Sequence, residues 1–283
     1  MNKSCVIFSC TILSEERLFV LRSFLEEFKK DFMDSDLYIG INYNSVQPTE
    51  DIIESYELNV KKMGRASEEL YSYSDASGYQ LALKYAKDSN VSYDTYWFVH
   101  TKSGVNSHSD YLKDWYINNF LSNRINVEKF LSDHTNIGSY GMLSLAYDEF
   151  RSYQEQDTEI SLFENVLTDT LPYTHANFFY IHTIYAIKGV VVDKFFKLIT
   201  DTWYSSKLDR YYFEGVFPFI VSRLGYFPYV SNGMDLSGKS VVELNVDWIN
   251  KNKLLSHNEY INLHKTNYIF NNQLLPPNNY TPC

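Results

Sequence analysis

A chain of 283 residues is long enough to bury a sizeable core, as one large domain or two small ones. Its 45% hydrophobic and 21% charged residues argue against disorder, and no stretch approaches the apolar length of a membrane span. A net charge of −10 argues against the basic face that non-specific nucleic-acid binding needs, while leaving open a nucleotide in a pocket with a few local cations. Tyr and Phe, 25 and 19 residues, lift the aromatic share to 17%. A tyrosine-rich surface suits a polar cleft such as a carbohydrate site, and an AT-biased genome raises the same residues. Cys5, Cys10 and Cys283 form no even disulfide framework. Together with an N-terminus too quickly charged for a standard signal peptide, this predicts a cytoplasmic enzyme.

In chain order, Cys5-Val6-Ile7-Phe8-Ser9-Cys10 reads as a strand buried on both faces. Ser14 before Glu15 and Glu16 marks a helix start, and Leu18, Leu21, Leu25 and Phe28 follow at helical spacing. A second strand is expected from Asp36 to Asn42, running into a polar Asn-Tyr-Asn-Ser loop. A short helix follows from Thr49 to Tyr56, and a third strand at Leu58-Asn59-Val60. This alternation predicts a mostly parallel sheet flanked by helices, with right-handed connections. The next helix opens within Tyr73–Gln80 and runs to about Lys87, with Asp75 or Ser74 as its cap. Asp75, Ser77 and Gly78 there leave backbone N–H groups and small side chains open to a ligand, although the same residues also make an ordinary helix start.

Tyr96, Trp97, Phe98 and Val99 form a short aromatic and β-branched strand that breaks into His100, Thr101, Lys102, Ser103 and Gly104. Open α/β sheets place ligands where a strand runs into such a polar loop, so His100 and Lys102 are candidates to handle an anionic substrate. A helix from about Ser109 to Ser122 carries Trp115 in an aromatic stripe, and another spans Asn126 to Asp133. A strand is expected over Ile137–Leu143, then an acidic stretch from Tyr147 to Leu167 with no clear period, read as a lid or surface loop. His175, Asn177 and His182 flank an apolar strand, which reads either as a sugar-facing strand or as a core strand. Lys188-Gly189 turns the chain, and a helix starts at Asp193. Glu214, beside Gly215 and four residues before Pro218, is poorly placed for a helix interior and is a candidate base, with Asp209 second; pairing of Glu214 with Arg210 is the structural alternative. Tyr226–Val230 reads as an edge strand marked by Pro228, and beyond Ser231 the α/β rhythm is lost. Short helices over Asn245–Asn252 and Asn258–His264 are expected in that tail.

The order of these parts, with the helix beginning SDASGYQLAL and the strand ending Phe98-Val99-His100-Thr101-Lys102, resembles the GT-A-fold glycosyltransferases over roughly Cys5 to Tyr229. The His-Thr-Lys group resembles that of glycosyltransferase-like proteins in polysaccharide assembly. The resemblance implies a Rossmann-like α/β domain over residues 1–230, with residues 231–283 as an irregular C-terminal extension packed on it. It implies transfer of a sugar from a nucleotide-sugar, UDP-linked rather than GDP-linked, to a glycan acceptor. Asp75, Ser77, Gly78, His100 and Lys102 then fall on the donor side, and Trp115, His175 and Asn177 on the acceptor side. Glu214, or second Asp209, takes the acceptor proton in an inverting reaction.

The family pattern has Asp-x-Asp, an oxygen trap for Mg²⁺ or Mn²⁺, where this chain has His-x-Lys. An ammonium repels a metal, so Lys102 is expected to neutralise the diphosphate itself, with no metal ligand assigned and no cofactor required. The alternative keeps Mn²⁺ or Mg²⁺, with His100 joined by Asp94, His108 or Asp110. Two other readings compete: a non-catalytic carbohydrate-binding domain that retains the fold, and a nucleotidyltransferase, whose clustered carboxylates and Gly-rich phosphate loop are not evident here.

Overall fold

The structure, a computed structural model, describes residues 3–70, 75–102, 104, 110–142, 144–147, 178–180, 183–205, 208, 213, 216–217, 220–221, 224, 226–230 and 254–256. The expected acceptor-side residues His175 and Asn177, the candidate bases Asp209 and Glu214, and both tail helices lie outside the described residues. The chain forms two compact units, Met1–Glu128 with Ala186–Tyr212, and Lys129–Tyr185 with Phe213–Cys283.

The first unit is an α/β sheet. Its strands are β1 (Ser4–Cys10), β2 (Asp36–Ile41), β3 (Val60–Arg65), β4 (Thr95–His100) and β8 (Tyr185–Lys188), in the spatial order β3-β2-β1-β4-β8. All seven residues of β1 are buried, as the unbroken apolar run predicts. β1 pairs in parallel with β2 and with β4, aligning Gly40, Ser9 and His100 across three strands, and β2 pairs in parallel with β3. β8 runs the other way: the N–H of Gly189, just past its end, donates to the carbonyl of Asp94, just before β4 begins (2.8 Å).

Alternation along β1 assigns the two faces. Phe8 packs on Phe24 and Phe28 of α1 (Leu18–Asp31), with ring centroids 6.1 and 5.1 Å apart. Ser9 turns the opposite way and donates its hydroxyl to the Asp75 carbonyl (2.6 Å) at the head of α3 (Ala76–Asp88). Helix α1 therefore covers one face together with α2 (Pro48–Glu54) and α4 (Asp110–Asn119), and α3 covers the other. A right-handed chain that winds outward over β1, β2 and β3 and then returns to β4 produces this two-sided arrangement.

The amino end of the sheet is closed by buried polar side chains. Glu128 accepts from the Trp97 indole (3.0 Å) and from Arg124 Nε (2.8 Å), and Arg124 also donates to Ser4 Oγ (2.7 Å). Tyr93 donates to Asp36 (2.7 Å) and shares a hydrogen bond with Tyr38 (2.7 Å). With that end sealed, the carboxyl end is left for chemistry.

Two boundaries differ most from expectation. The third strand begins at Val60 rather than ending there, because Lys61, Lys62 and Gly64 give an outer strand no apolar signal, and only pairing with β2 defines it. The helix expected from Asp193 begins at Gly189 (α6, Gly189–Leu198). A Cβ at Gly189 would overlap the Tyr93 carbonyl oxygen, so glycine is needed there for close approach to the start of β4, not to turn the chain. A five-residue helix, α7 (Asp201–Ser205), follows.

In the second unit, β5 (Ile137–Gly141) pairs in parallel with β9 (Phe227–Val230). β9 ends the strand order, so Pro228, which has no N–H to donate, stands at an edge as expected. Phe130 of α5 (Arg124–Asp133) packs on Tyr140 and Tyr229, with centroids 5.4 and 4.4 Å apart. A second ladder is antiparallel: β6 (Ser144–Tyr147) lies between β7 (Phe178–Tyr180) and β10 (Leu254–Ser256). Neither β6 nor β10 was expected, since strands of three or four residues carry too little pattern to be seen in sequence.

Burial on α1 has a pH consequence. Glu27 lies on the buried side of α1 at 6% exposure, and its Oε1 has no hydrogen-bond partner. Burial, reinforced by the hydrogen-bonded Asp31 and opposed by Lys30, pushes its carboxyl up to about 7. The folded state thus holds a proton that the unfolded chain has lost, so this group's contribution falls as pH rises from about 4.5 to 7 and is flat above. Glu27→Gln is expected to stabilise the protein at pH 8 and to change little at pH 4. Thermal melts of both proteins at the two pH values check this.

Candidate functional site

The strand order β3-β2-β1-β4 reverses direction between β1 and β4. The chain leaving β1 and the chain leaving β4 run together, the Leu13 N–H donating to the Gly104 carbonyl (3.3 Å), and ligands in open α/β sheets bind in the crevice outside such carboxyl ends. Thr11 follows β1 at this crevice, and His100, Thr101 and Lys102 lie at the end of β4. The polar break after β4 therefore falls at the carboxyl end of the sheet, beside the end of β1.

Thr101 holds the crevice together. Its hydroxyl accepts from the Thr11 N–H (2.8 Å) and donates to the Thr11 carbonyl (3.0 Å), and its own N–H donates to the Ser9 carbonyl (3.1 Å). Thr101 is thereby spent on structure, between His100 and Lys102. His100, in register with Ser9, shares the α3 face, where its ring lies 6.3 Å from that of Tyr79. Both His100 and Lys102 are part-exposed. The Lys102 N–H donates to the His100 carbonyl (2.7 Å), bending the chain sharply just after the strand. Gly104 then approaches Thr11 so closely that a Cβ would overlap its carbonyl oxygen.

The head of α3 arrives over the same strands. Gly78 faces Gly40 and Ser9, and a Cβ on either glycine would collide with the other's backbone. The small size of Gly78 is used to let the helix approach β2. Asp75 occupies the N-cap position, yet its side chain makes no capping bond, and its Oδ2 is buried without a hydrogen-bond partner. Ser77 Oγ, Thr11 Oγ1 and Asn44 Oδ1 are likewise buried and unpartnered. Buried polar atoms are nearly always satisfied, and these four lie together on the loops and helix head at one end of three adjacent strands, where a ligand or water can satisfy them.

Of the expected donor-side residues, Asp75, Ser77, Gly78, His100 and Lys102 are thus gathered around the carboxyl ends of β1, β2 and β4. Trp115 stands on α4, in the layer with α1 on the opposite face from α3. Its ring packs edge-on against Tyr116 (4.9 Å), and its indole N–H has no hydrogen-bond partner. Thr11, Asn44 and Arg65 went unrecognised in the sequence. Asn44 lies in the polar loop after β2 that the sequence does flag. Arg65 lies at the end of β3, a strand the sequence places several residues too early.

Two of the side chains named with His100 as metal ligands have other partners. The proposed partner Asp94 precedes β4 while His100 ends it, about 20 Å away for an extended segment of this length. Asp94 accepts the Lys3 N–H (2.7 Å), and Asp110 is ion-paired with Arg17. Among the described residues, no three His, Cys, Asp or Glu side chains come together as a metal site. Asp94 and Asp110 are thus engaged away from His100, and His108, the third side chain named with it, lies outside the described residues. Cys10, at the end of β1, is no nucleophile either: burial raises its thiol far above the usual range, Glu50 adds to this, and Arg65 only partly opposes it.

No protein-family model and no curated protein sequence matches the chain. Among solved structures, it is similar to core-mannan synthase A from Aspergillus fumigatus in a Mn/GDP form, at 9% identity and a TM-score of 0.40, over 82% of this chain and 73% of that one. It is also similar to the mannosyltransferase Ktr4p from S. cerevisiae, at 12% identity and a TM-score of 0.40, over 82% of this chain and 67% of that one. The GDP complex of Ktr4p aligns at 12% identity and a TM-score of 0.40, over 80% and 67% of the two chains. Likenesses this distant carry no argument about function.

Proposed function

We propose that the protein is a GT-A-like glycosyltransferase that moves a sugar from a nucleoside diphosphate donor to a saccharide acceptor. The observation that carries this reading is the set of four unpartnered buried polar atoms, on Thr11, Asn44, Asp75 and Ser77, at the carboxyl end of the sheet that also carries His100 and Lys102. A donor nucleotide offers ribose and base donors to the Asp75 and Asn44 oxygens, and its diphosphate is the anion this reading assigns to Lys102. Nothing at the described residues selects uracil over guanine, so the proposal takes both UDP and GDP sugars.

In this reading an acceptor hydroxyl attacks the anomeric carbon, and its proton passes to Glu214, or to Asp209. The bond from that carbon to the diphosphate oxygen breaks, and the nucleoside diphosphate leaves with the charge that Lys102 stabilises. Attack opposite the leaving group inverts the anomeric centre. The ammonium at Lys102 takes the place of a divalent ion, so transfer is metal-independent. Free, buried Cys5 and Cys10 accord with a cytoplasmic setting, which belongs to the same proposal.

A thermal-shift screen against UDP- and GDP-sugars, with EDTA and with Mn²⁺, tests the reading. Stabilisation by at least one nucleotide-sugar in EDTA is the expected result. Stabilisation only with Mn²⁺ would keep the transferase and remove the metal-free mechanism. Stabilisation by glycans and by no nucleotide-sugar would favour the non-catalytic carbohydrate-binding domain.

A further inference from the structure

Asn44 belongs to a loop that one side chain from another strand holds in shape. Arg65 ends β3, and its guanidinium reaches across to the chain leaving β2. Nη1 donates to the carbonyls of Asn42 (3.5 Å), Tyr43 (3.1 Å) and Ser45, and Nη2 to that of Val46 (3.4 Å). Nε and Nη2 form a two-pronged pair with the Glu50 carboxylate, at 2.8 and 2.6 Å. Glu50 lies in the first turn of α2 and orients the fork from behind. The guanidinium thus collects carbonyls from four of the five residues 42–46, and the residue it brackets without touching is Asn44, whose Oδ1 is buried and unpartnered.

Lysine cannot replace this device, because only a planar fork spans several carbonyls and a carboxylate at once. From these contacts we infer that Arg65 is a positioning residue for donor specificity. Fixed by Glu50, it sets the 42–46 loop so that the Asn44 amide oxygen meets a hydrogen-bond donor of the nucleoside. The inference rests on the nucleotide-sugar reading above and deepens it. Arg65 acts through the loop, so its effect belongs to the nucleoside half of the ligand, while the diphosphate half depends on Lys102.

Calorimetry of wild type, Arg65→Lys, Arg65→Met and Glu50→Gln with UDP, GDP and inorganic pyrophosphate, well below each melting temperature, tests this. A lost hydrogen bond to a fixed polar group predicts about tenfold weaker binding of the preferred nucleoside diphosphate by Arg65→Met, with pyrophosphate unchanged. Glu50→Gln is expected to weaken the same ligand less, again sparing pyrophosphate, and Arg65→Lys to fall between wild type and Arg65→Met. A purely structural role lowers melting temperature without splitting the two ligands. Unchanged nucleoside diphosphate binding in folded Glu50→Gln and Arg65→Lys overturns the inference and leaves the nucleotide reading standing. Wild type that binds neither UDP nor GDP overturns both.

Discussion

Lys102→Ala is expected to lower sugar transfer by about 10²- to 10³-fold, the usual cost of deleting one group aimed at developing charge. The leaving nucleoside diphosphate gains negative charge as the sugar bond breaks, and in the proposed site Lys102 is the cation that meets it. The same substitution should weaken UDP or GDP binding while the melting temperature stays near that of wild type, since Lys102 is part-exposed at the end of β4. The neighbouring position gives the contrast. Thr101 clamps both backbone groups of Thr11, so Thr101→Val leaves those buried groups unsatisfied and should lose stability as well as binding. Steady-state rates with melting curves for both variants separate the two roles. Wild-type turnover in Lys102→Ala would remove this residue from the reaction.

Gly40→Ala should produce a large structural effect for a single methyl group. The new Cβ would overlap the Gly78 carbonyl oxygen and crowd its carbon at 2.7 Å, both backbone atoms that cannot swing aside. Helix α3 must then lift from β2, at a cost of about 1–3 kcal/mol or more. The lift moves Asp75 and Ser77 off the crevice, so nucleotide binding should fall together with stability. Gly64→Ala, on the next strand, is the control. Its Cβ would meet only the phenol end of Tyr85, which can rotate away, so stability and binding should stay close to wild type. Chemical denaturation and nucleotide titration of the pair decide the point. Equal behaviour of the two variants would show that the α3 head is not held by the Gly40–Gly78 contact.

What the sequence reveals here follows from how local each signal is. β1 and β4 are unbroken apolar runs, so their place as strands, and the polar mouth at His100 and Lys102, are legible from composition along a few residues. α1 shows its buried face at Leu21, Leu25 and Phe28 by spacing alone. β3 is not legible, because Lys61, Lys62 and Gly64 look like loop until β2 pairs with them. Gly189 reads as a turn until the Tyr93 carbonyl is found against it. In the site, Asp75 was found as a helix cap, and the structure shows the carboxylate doing no capping. Arg65 was invisible because its partners, the loop carbonyls and Glu50, are brought to it only by the pairing of β2 with β3. Local chemistry was readable, and long-range hydrogen bonding was not.

The most direct measurement is a calorimetric titration of the full chain with UDP and with GDP in EDTA, repeated with Lys102→Ala. The account predicts saturable binding of at least one nucleoside diphosphate without metal, and a loss of tenfold or more in the variant. A flat titration with both nucleotides, in EDTA and again with Mn²⁺, would contradict it.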